Sequence, residues 1–116
     1  MKELLFHIAT RSDWGKRGDT YIPAQFATEG FIHCSTAQQL EWVASQRFRN
    51  RDDLVILSID PGRVVPQILY ENLEDGQEQF PHIYGELNVD AVIACRIVVT
   101  DSDGKFIETT GTINNE

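Results

Sequence analysis

Hydrophobic positions along the chain gather into a few dense runs separated by polar, turn-forming stretches. The first run, Leu4-Leu5-Phe6-His7-Ile8-Ala9, is nearly all apolar with a histidine near its end, and predicts a largely buried strand. Thr10, Ser12 or Asp13 suits the cap of a short helix through Trp14 to Arg17, which Gly18 would stop. Tyr21-Ile22 reads as extended, because a residue before proline is pushed out of the α region. Pro23 then fits the first turn of a short helix ending at Glu29, with Gly30 as its left-handed exit.

In Gly30-Phe31-Ile32-His33-Cys34-Ser35-Thr36 the period changes. Phe31 and His33 alternate with Ile32 and Cys34, as in a short strand, and from Ser35 onward the spacing is helical. Ser35 with Gln38 matches a capping box, and Leu40, Val43, Ala44 and Phe48 share one helical face, so one longer helix is expected over about 36–49. Asn50 to Asp53 is turn-like. Leu54 to Asp60 is the clearest strand, closed by Pro61-Gly62. Val64 to Glu71 predicts one or two strand pieces, with Pro66 at an edge or bulge. Asn72 to Gln79 predicts an acidic loop, Phe80 to Gly85 an aromatic turn, and Ala91 to Thr100 a second strong strand. Asp101 to Gly104 then turns a hairpin into Lys105–Glu108.

Strand, short helices, one longer helix and then mostly strands is an α+β order with curved antiparallel or mixed sheets. It lacks the regular alternation of a doubly wound fold. With 116 residues the chain predicts a single domain with a core over about 4–108. From Thr109 onward only Ile113 is a core residue type, so a frayed tail is expected.

The charge narrows the function. Ten basic against eighteen acidic side chains give a net −8, which argues against a broad nucleic-acid surface. Arg47, Arg49 and Arg51 gather near one helix end, where they answer the helix dipole. Cys34 and Cys95 have no paired spacing, so free buried thiols are expected rather than a disulfide or a zinc site. Neither a signal-peptide pattern nor a run of membrane-spanning length is visible. The expectation is a cytoplasmic protein, with a monomer favoured.

All three histidines fall at predicted element ends: His7 at a strand end, His33 before a helix, His82 in a proline-aromatic turn. Beside a helix N-terminus, His33, Ser35 and Thr36 suit a phosphate-bearing ligand, while a capped helix with a structural histidine would need no ligand at all. Glu71 offers a carboxylate for a ribose hydroxyl or a developing positive charge, and Trp14 and Tyr84 could wall a pocket for a flat ring. Wide spacing gives no support to a three-histidine metal site. His33 and Cys34 are adjacent on a strand and face opposite ways, so they do not form a thiolate–imidazolium pair.

His7-Ile8-Ala9-Thr10, Trp14, Glu29 through Thr36 with Gln38, and Phe80-Pro81-His82-Ile83-Tyr84-Gly85 with Leu87 and Asp90-Ala91-Val92 together resemble the bacterial family known as domain of unknown function 952. The resemblance runs from about Leu4 to Val98, and through it the fold is similar to that of the ADP-ribosyltransferases. It implies a cleft that would hold NAD or a related ADP-ribose compound, with NAD as substrate rather than as resident cofactor. It places His33, Ser35, Thr36 and Tyr84 as ligand-binding residues and Glu71 and His82 near the reacting ribose carbon; the reading of the residues themselves adds His7 and Trp14 to the ligand-binding set. The chain departs from the transferases in having no clear Ser-Thr-Ser strand motif and no Glu-x-Glu or Gln-x-Glu ending. A non-catalytic ligand-binding or interaction domain, or more remotely a metal-dependent hydrolase, would carry the same residues.

Overall fold

The computed structural model describes residues 3–72 and 78–107, and the backbone of 112–113. The order is β1 (Leu5–Thr10), α1 (Arg11–Gly15), β2 (Thr20–Tyr21), α2 (Phe26–Glu29), β3 (Ile32–His33), α3 (Leu40–Arg47), β4 (Leu54–Ile59), β5 (Gln67–Glu71), β6 (Phe80–Tyr84), β7 (Leu87–Asn88), β8 (Val92–Thr100), β9 (Phe106–Ile107) and β10 (Thr112–Ile113). The fold is α+β, and every strand pair among these elements is antiparallel, with no mixed sheet.

A large sheet runs β1-β4-β8-β10, with β9 also on β8; a three-stranded sheet runs β3-β6-β5; β2 and β7 form a small pair. β4 reads as continuous apolar sequence because it lies between β1 and β8 and is covered on both faces. Val55, Leu57 and Ile59 pack with Ile32, Cys34 and Ile83 of the three-stranded sheet side. Leu54 and Ile56 pack with Leu40 and Ala44 of α3. The large sheet is thus the middle layer, with α3 on one side and the small sheets on the other.

Several local expectations hold. The Thr10 hydroxyl caps α1 by accepting from the Asp13 amide, although the helix ends at Gly15 instead of running to Arg17. Gly30 leaves α2 at φ 81°, a left-handed exit that favours glycine.

The longer helix is shorter than 36–49. Ser35 exchanges both backbone hydrogen bonds with Phe6 (2.8 and 2.7 Å), so its main chain is strand-like and the Ser35–Gln38 capping box does not form. The Thr36 amide is taken instead by the Gln39 side chain (3.0 Å), and α3 starts at Leu40. It stops at Arg47 because the Phe48 carbonyl is turned to the buried Thr100 hydroxyl, which also accepts from the Arg51 amide (2.9 Å).

Phe80–Tyr84 is a strand rather than a turn, and a central one despite Pro81. The Pro81 carbonyl still accepts from the Cys34 amide (3.0 Å), and at this last pair of the short β3–β6 ladder Pro81 has no N–H to return the second bond.

The backbone of Thr112–Ile113 pairs with Cys95–Arg96 of β8; the rest of the predicted tail, and 73–77 of the predicted acidic loop, lie outside the described residues. No helix among the described residues is long and apolar enough to cross a membrane.

The turn into β9 closes against α3. Gly104 has φ 82°, and a Cβ placed there would lie 2.4 Å from Ser45 Cα and 2.6 Å from the Ala44 carbonyl oxygen. Gly104→Ala is therefore expected to destabilise the protein by about 2–4 kcal/mol in urea denaturation. Gly15→Ala, which meets open space, should stay within about 0.5 kcal/mol.

Candidate functional site

Sheet alternation gives the three-stranded sheet two different faces. Ile32 and Ile83 pair across β3–β6 and are fully buried in the core, with Ile68 opposite Ile83 on β5. The other face carries His33 opposite His82, and Glu71 opposite Phe80. Cys34, one residue beyond His33, turns into the core, where burial pushes its thiol up. The expected separation of His33 from Cys34 is what the strand produces.

On the polar face, Glu71 is the hub. Its Oε1 accepts from the Tyr84 hydroxyl (2.5 Å) and from Nδ1–H of His82 (3.0 Å), and among the described residues Oε2 takes no bond. These two bonds, Tyr84 first, hold the Glu71 carboxyl below the usual carboxylate range. In return the carboxylate raises Tyr84, which stays a donor. His82 is only 3% exposed and is held flat by Phe31, whose ring stacks on it at 4.3 Å and 26°. With Nδ1–H committed to Glu71, Nε2 is the imidazole's acceptor.

His33 packs edge-on to His82 (5.2 Å) and meets Glu29 through Nε2 at 2.8 Å. Burial lowers the His33 pKa even though Glu29 pulls the other way. At neutral pH the contact is accordingly a hydrogen bond donated by a neutral ring rather than an ion pair.

His7 is not at the end of β1, as expected, but in its middle, and it is buried. Nδ1–H donates to the His33 carbonyl (2.6 Å), and Nε2 accepts from the Tyr21 hydroxyl (2.8 Å). Both ring nitrogens serve the protein. Burial lowers this imidazole to about 4, so it is neutral across the physiological range.

A cleft of about 200 Å³ lies along the outer edge of β1, between α3 and the polar face of the three-stranded sheet. His7, His33, Ser35, Glu71 and His82 line it. Phe6 turns its amide and carbonyl outward to Ser35, so by alternation Ile8, which also lines the cleft, turns its own N–H and C=O to that side. Tyr84 reaches the site through Glu71 without lining it, and Thr36 lies beyond the lining.

Trp14 is elsewhere. It is 6% exposed, packs edge-on to Tyr21 in the core, and has the Arg17 guanidinium over its ring at 4.1 Å. Glu29, Phe31, Trp42 and Phe80 belong to the site without having been singled out. For Phe80 the signal was present: Phe80, His82 and Tyr84 alternate at period 2, a pattern that Pro81 obscured. Trp42 carried none, since nothing in a helical period tells which aromatic faces a cavity.

The sequence profile of the family described as "Protein of unknown function (DUF952)" matches residues 8–95. The chain belongs to this family. Among solved structures, it is similar to protein CC0527 from Caulobacter crescentus. The X-ray structure of that protein is 28% identical over 90% of this chain and 93% of that one, with a TM-score of 0.78, and a double mutant gives the same values. The solution NMR structure is 29% identical over 88% and 90%, with a TM-score of 0.67. No curated protein matches. The match of 8–95 includes Glu29, His33, Ser35, Glu71 and His82 of the site and begins one residue after His7.

The neutral His7 makes stability depend on pH. Above pH 6.5 neither state holds the extra proton and its contribution is complete; as pH falls from 6.5 toward about 4 the unfolded chain takes a proton that the folded one refuses. About 3 kcal/mol should be lost across that window. In denaturation series at pH 7 and 4.5, His7→Gln should be less stable than the wild type at pH 7 and show a flatter pH dependence. An unchanged dependence would mean that His7 takes a proton while folded.

Proposed function

We propose that the cleft binds a nucleoside- or nucleotide-like compound, with NAD or an ADP-ribose compound as the leading candidate, on an ADP-ribosyltransferase-like fold. What supports this most is one carboxylate, Glu71, kept ionised at a cleft by two donors on the same oxygen, with its second oxygen unbonded among the described residues.

A group held in the charged state suits the stabilisation of positive charge, not the donation of a proton. At a ribose, breaking the bond from C1′ to its substituent leaves an oxocarbenium-like centre, and the substituent departs with the bonding pair. Glu71 would stabilise that centre or accept from the ribose 2′-hydroxyl. Water or another acceptor forms the new bond to C1′, and its proton passes to Nε2 of His82 or to solvent. His33 and Ser35 would contact the sugar, and the outward N–H and C=O of Ile8 form a donor–acceptor pair fit for an amide or a base edge. Tyr84 acts by orienting Glu71. The protein would work as a cytoplasmic monomer.

The metal-hydrolase alternative finds no support in geometry. Among the described residues no three His, Cys, Asp or Glu side chains are grouped to hold an ion, and His7 has no free nitrogen to offer.

Thermal unfolding with NAD or ADP-ribose at millimolar concentration should show a rise in Tm, because stabilisation grows with ligand over its dissociation constant. Glu71→Gln should keep most of that rise and lower product formation by at least about 100-fold. Stabilisation without turnover in the wild type would mean a binding domain that performs no chemistry. No stabilisation by any nucleotide-like compound would refute the reading.

A further inference from the structure

Trp42 sits on the first turns of α3 with 55% of its surface exposed, an unusual position for so large an apolar ring. It is not loose. One face stacks on Phe80 of β6 at 5.9 Å and 26°, and both rings line the cleft. The adjoining backbone is tied down, since Gln39 donates to the Gln79 carbonyl (2.9 Å) and to Glu78 (3.0 Å), joining the start of α3 to the entry of β6. The result is a rigid aromatic platform at the rim of a cavity.

The platform stands next to the hub. Phe80 is directly opposite Glu71 across the β5–β6 pair, and side chains so paired share a face about 5 Å apart. His82, two residues beyond Phe80, continues the row. Charge around the cleft is one-sided: Asp13, Glu29 and Glu71 face Arg47, which among the described lining residues is the cation against three carboxylates. An electron-rich ring face beside carboxylates attracts a positively charged group and repels an anionic one. Size adds a limit, because about 200 Å³ is below the range for a drug-sized ligand and encloses about one ring system, so the remainder of a larger ligand lies outside it.

We infer that Trp42 and Phe80 form a subsite for a single flat, positively charged ring, such as a pyridinium-type heterocycle, which enters the cleft beside Glu71 while any phosphate of the same ligand stays outside. This rests on the reading that the cleft is the ligand site, and it adds which end of the ligand goes in. The anion expected near Ser35 and Thr36 has no helix N-terminus there to receive it, since α3 begins at Leu40.

The test uses three probes of one shape and different charge: 1-methylpyridinium, pyridine (neutral at pH 7.5) and benzenesulfonate. The readout is the indole N–H signals of the only two tryptophans, Trp14 and Trp42, in ¹⁵N-labelled full-length protein. The cation should give a saturable shift of the Trp42 signal and leave that of buried Trp14 in place. Pyridine should bind about tenfold more weakly and benzenesulfonate more weakly still. Trp42→Ala, whose fold is checked by the unchanged Trp14 signal and whose binding is read from the backbone amide signals of Phe80 and His82, should no longer bind the cation, and Glu71→Gln should weaken it several-fold. A linear, non-saturating response, equal binding of cation and anion, or full affinity in Trp42→Ala would overturn the inference.

The two readings fail separately. If ADP-ribose stabilises the protein but 1-methylpyridinium does not bind, the subsite is wrong and the nucleotide reading stands. If the cation binds at Trp42 in a protein that ignores NAD and ADP-ribose, the subsite stands and the nucleotide reading falls.

Discussion

A neutral histidine joins the two halves of this molecule. His7 projects from the middle of β1 and bonds on one side to the His33 carbonyl and on the other to the Tyr21 hydroxyl. The Phe6–Ser35 backbone bridge lies one residue away along the strand. Together they fix the three-stranded sheet against the edge of the large one. The polar face of the small sheet therefore stands over a cleft instead of closing onto the core. Protonating His7 would need a charge in a fully enclosed position and the loss of the acceptor that holds Tyr21. The seam and the site share one requirement, an imidazole that does not titrate near neutrality.

With that seam in place, the alternation of three short strands does the rest. Isoleucines at 32, 68 and 83 face inward, while His33, Glu71, Phe80 and His82 face the cleft. One carboxylate with two donors, an imidazole clamped by Phe31 and a half-exposed tryptophan then lie within one small volume. The hydrogen bonds around Glu71 favour its charged form. That choice separates a site that steadies positive charge from one that hands over protons. Membership of a family of unknown function and similarity to CC0527 fix the company this fold keeps; what the site does is argued from its geometry.

Much of this was legible in the sequence where local chemistry and tertiary context agree. Leu54–Ile59 is apolar on both faces and is covered on both. Gly30 supplies a left-handed exit, and the Thr10 hydroxyl caps a helix. The misreadings come from tertiary contacts that override local rules. Ser35 has the spacing of a capping box, but its backbone is taken by Phe6, five residues before the helix begins at Leu40. Pro81 signals a turn, yet it lies within β6, where its carbonyl accepts from the Cys34 amide and the pairing with β5 carries the strand through. The three histidines and Glu71 could be chosen by residue type, whereas Glu29 could not. Trp14 and Trp42 could not be told apart that way, because which of two tryptophans is core and which faces a cleft depends on packing that no period encodes.

The central claim is that Glu71, held by Tyr84 and His82, faces a bound ligand. A crystal structure of the protein soaked with ADP-ribose tests it most directly. Density for the ribose within hydrogen-bond reach of Glu71 Oε2 is the predicted result. An empty cleft at saturating ligand, or a ligand bound away from Glu71 and His82, would contradict the account.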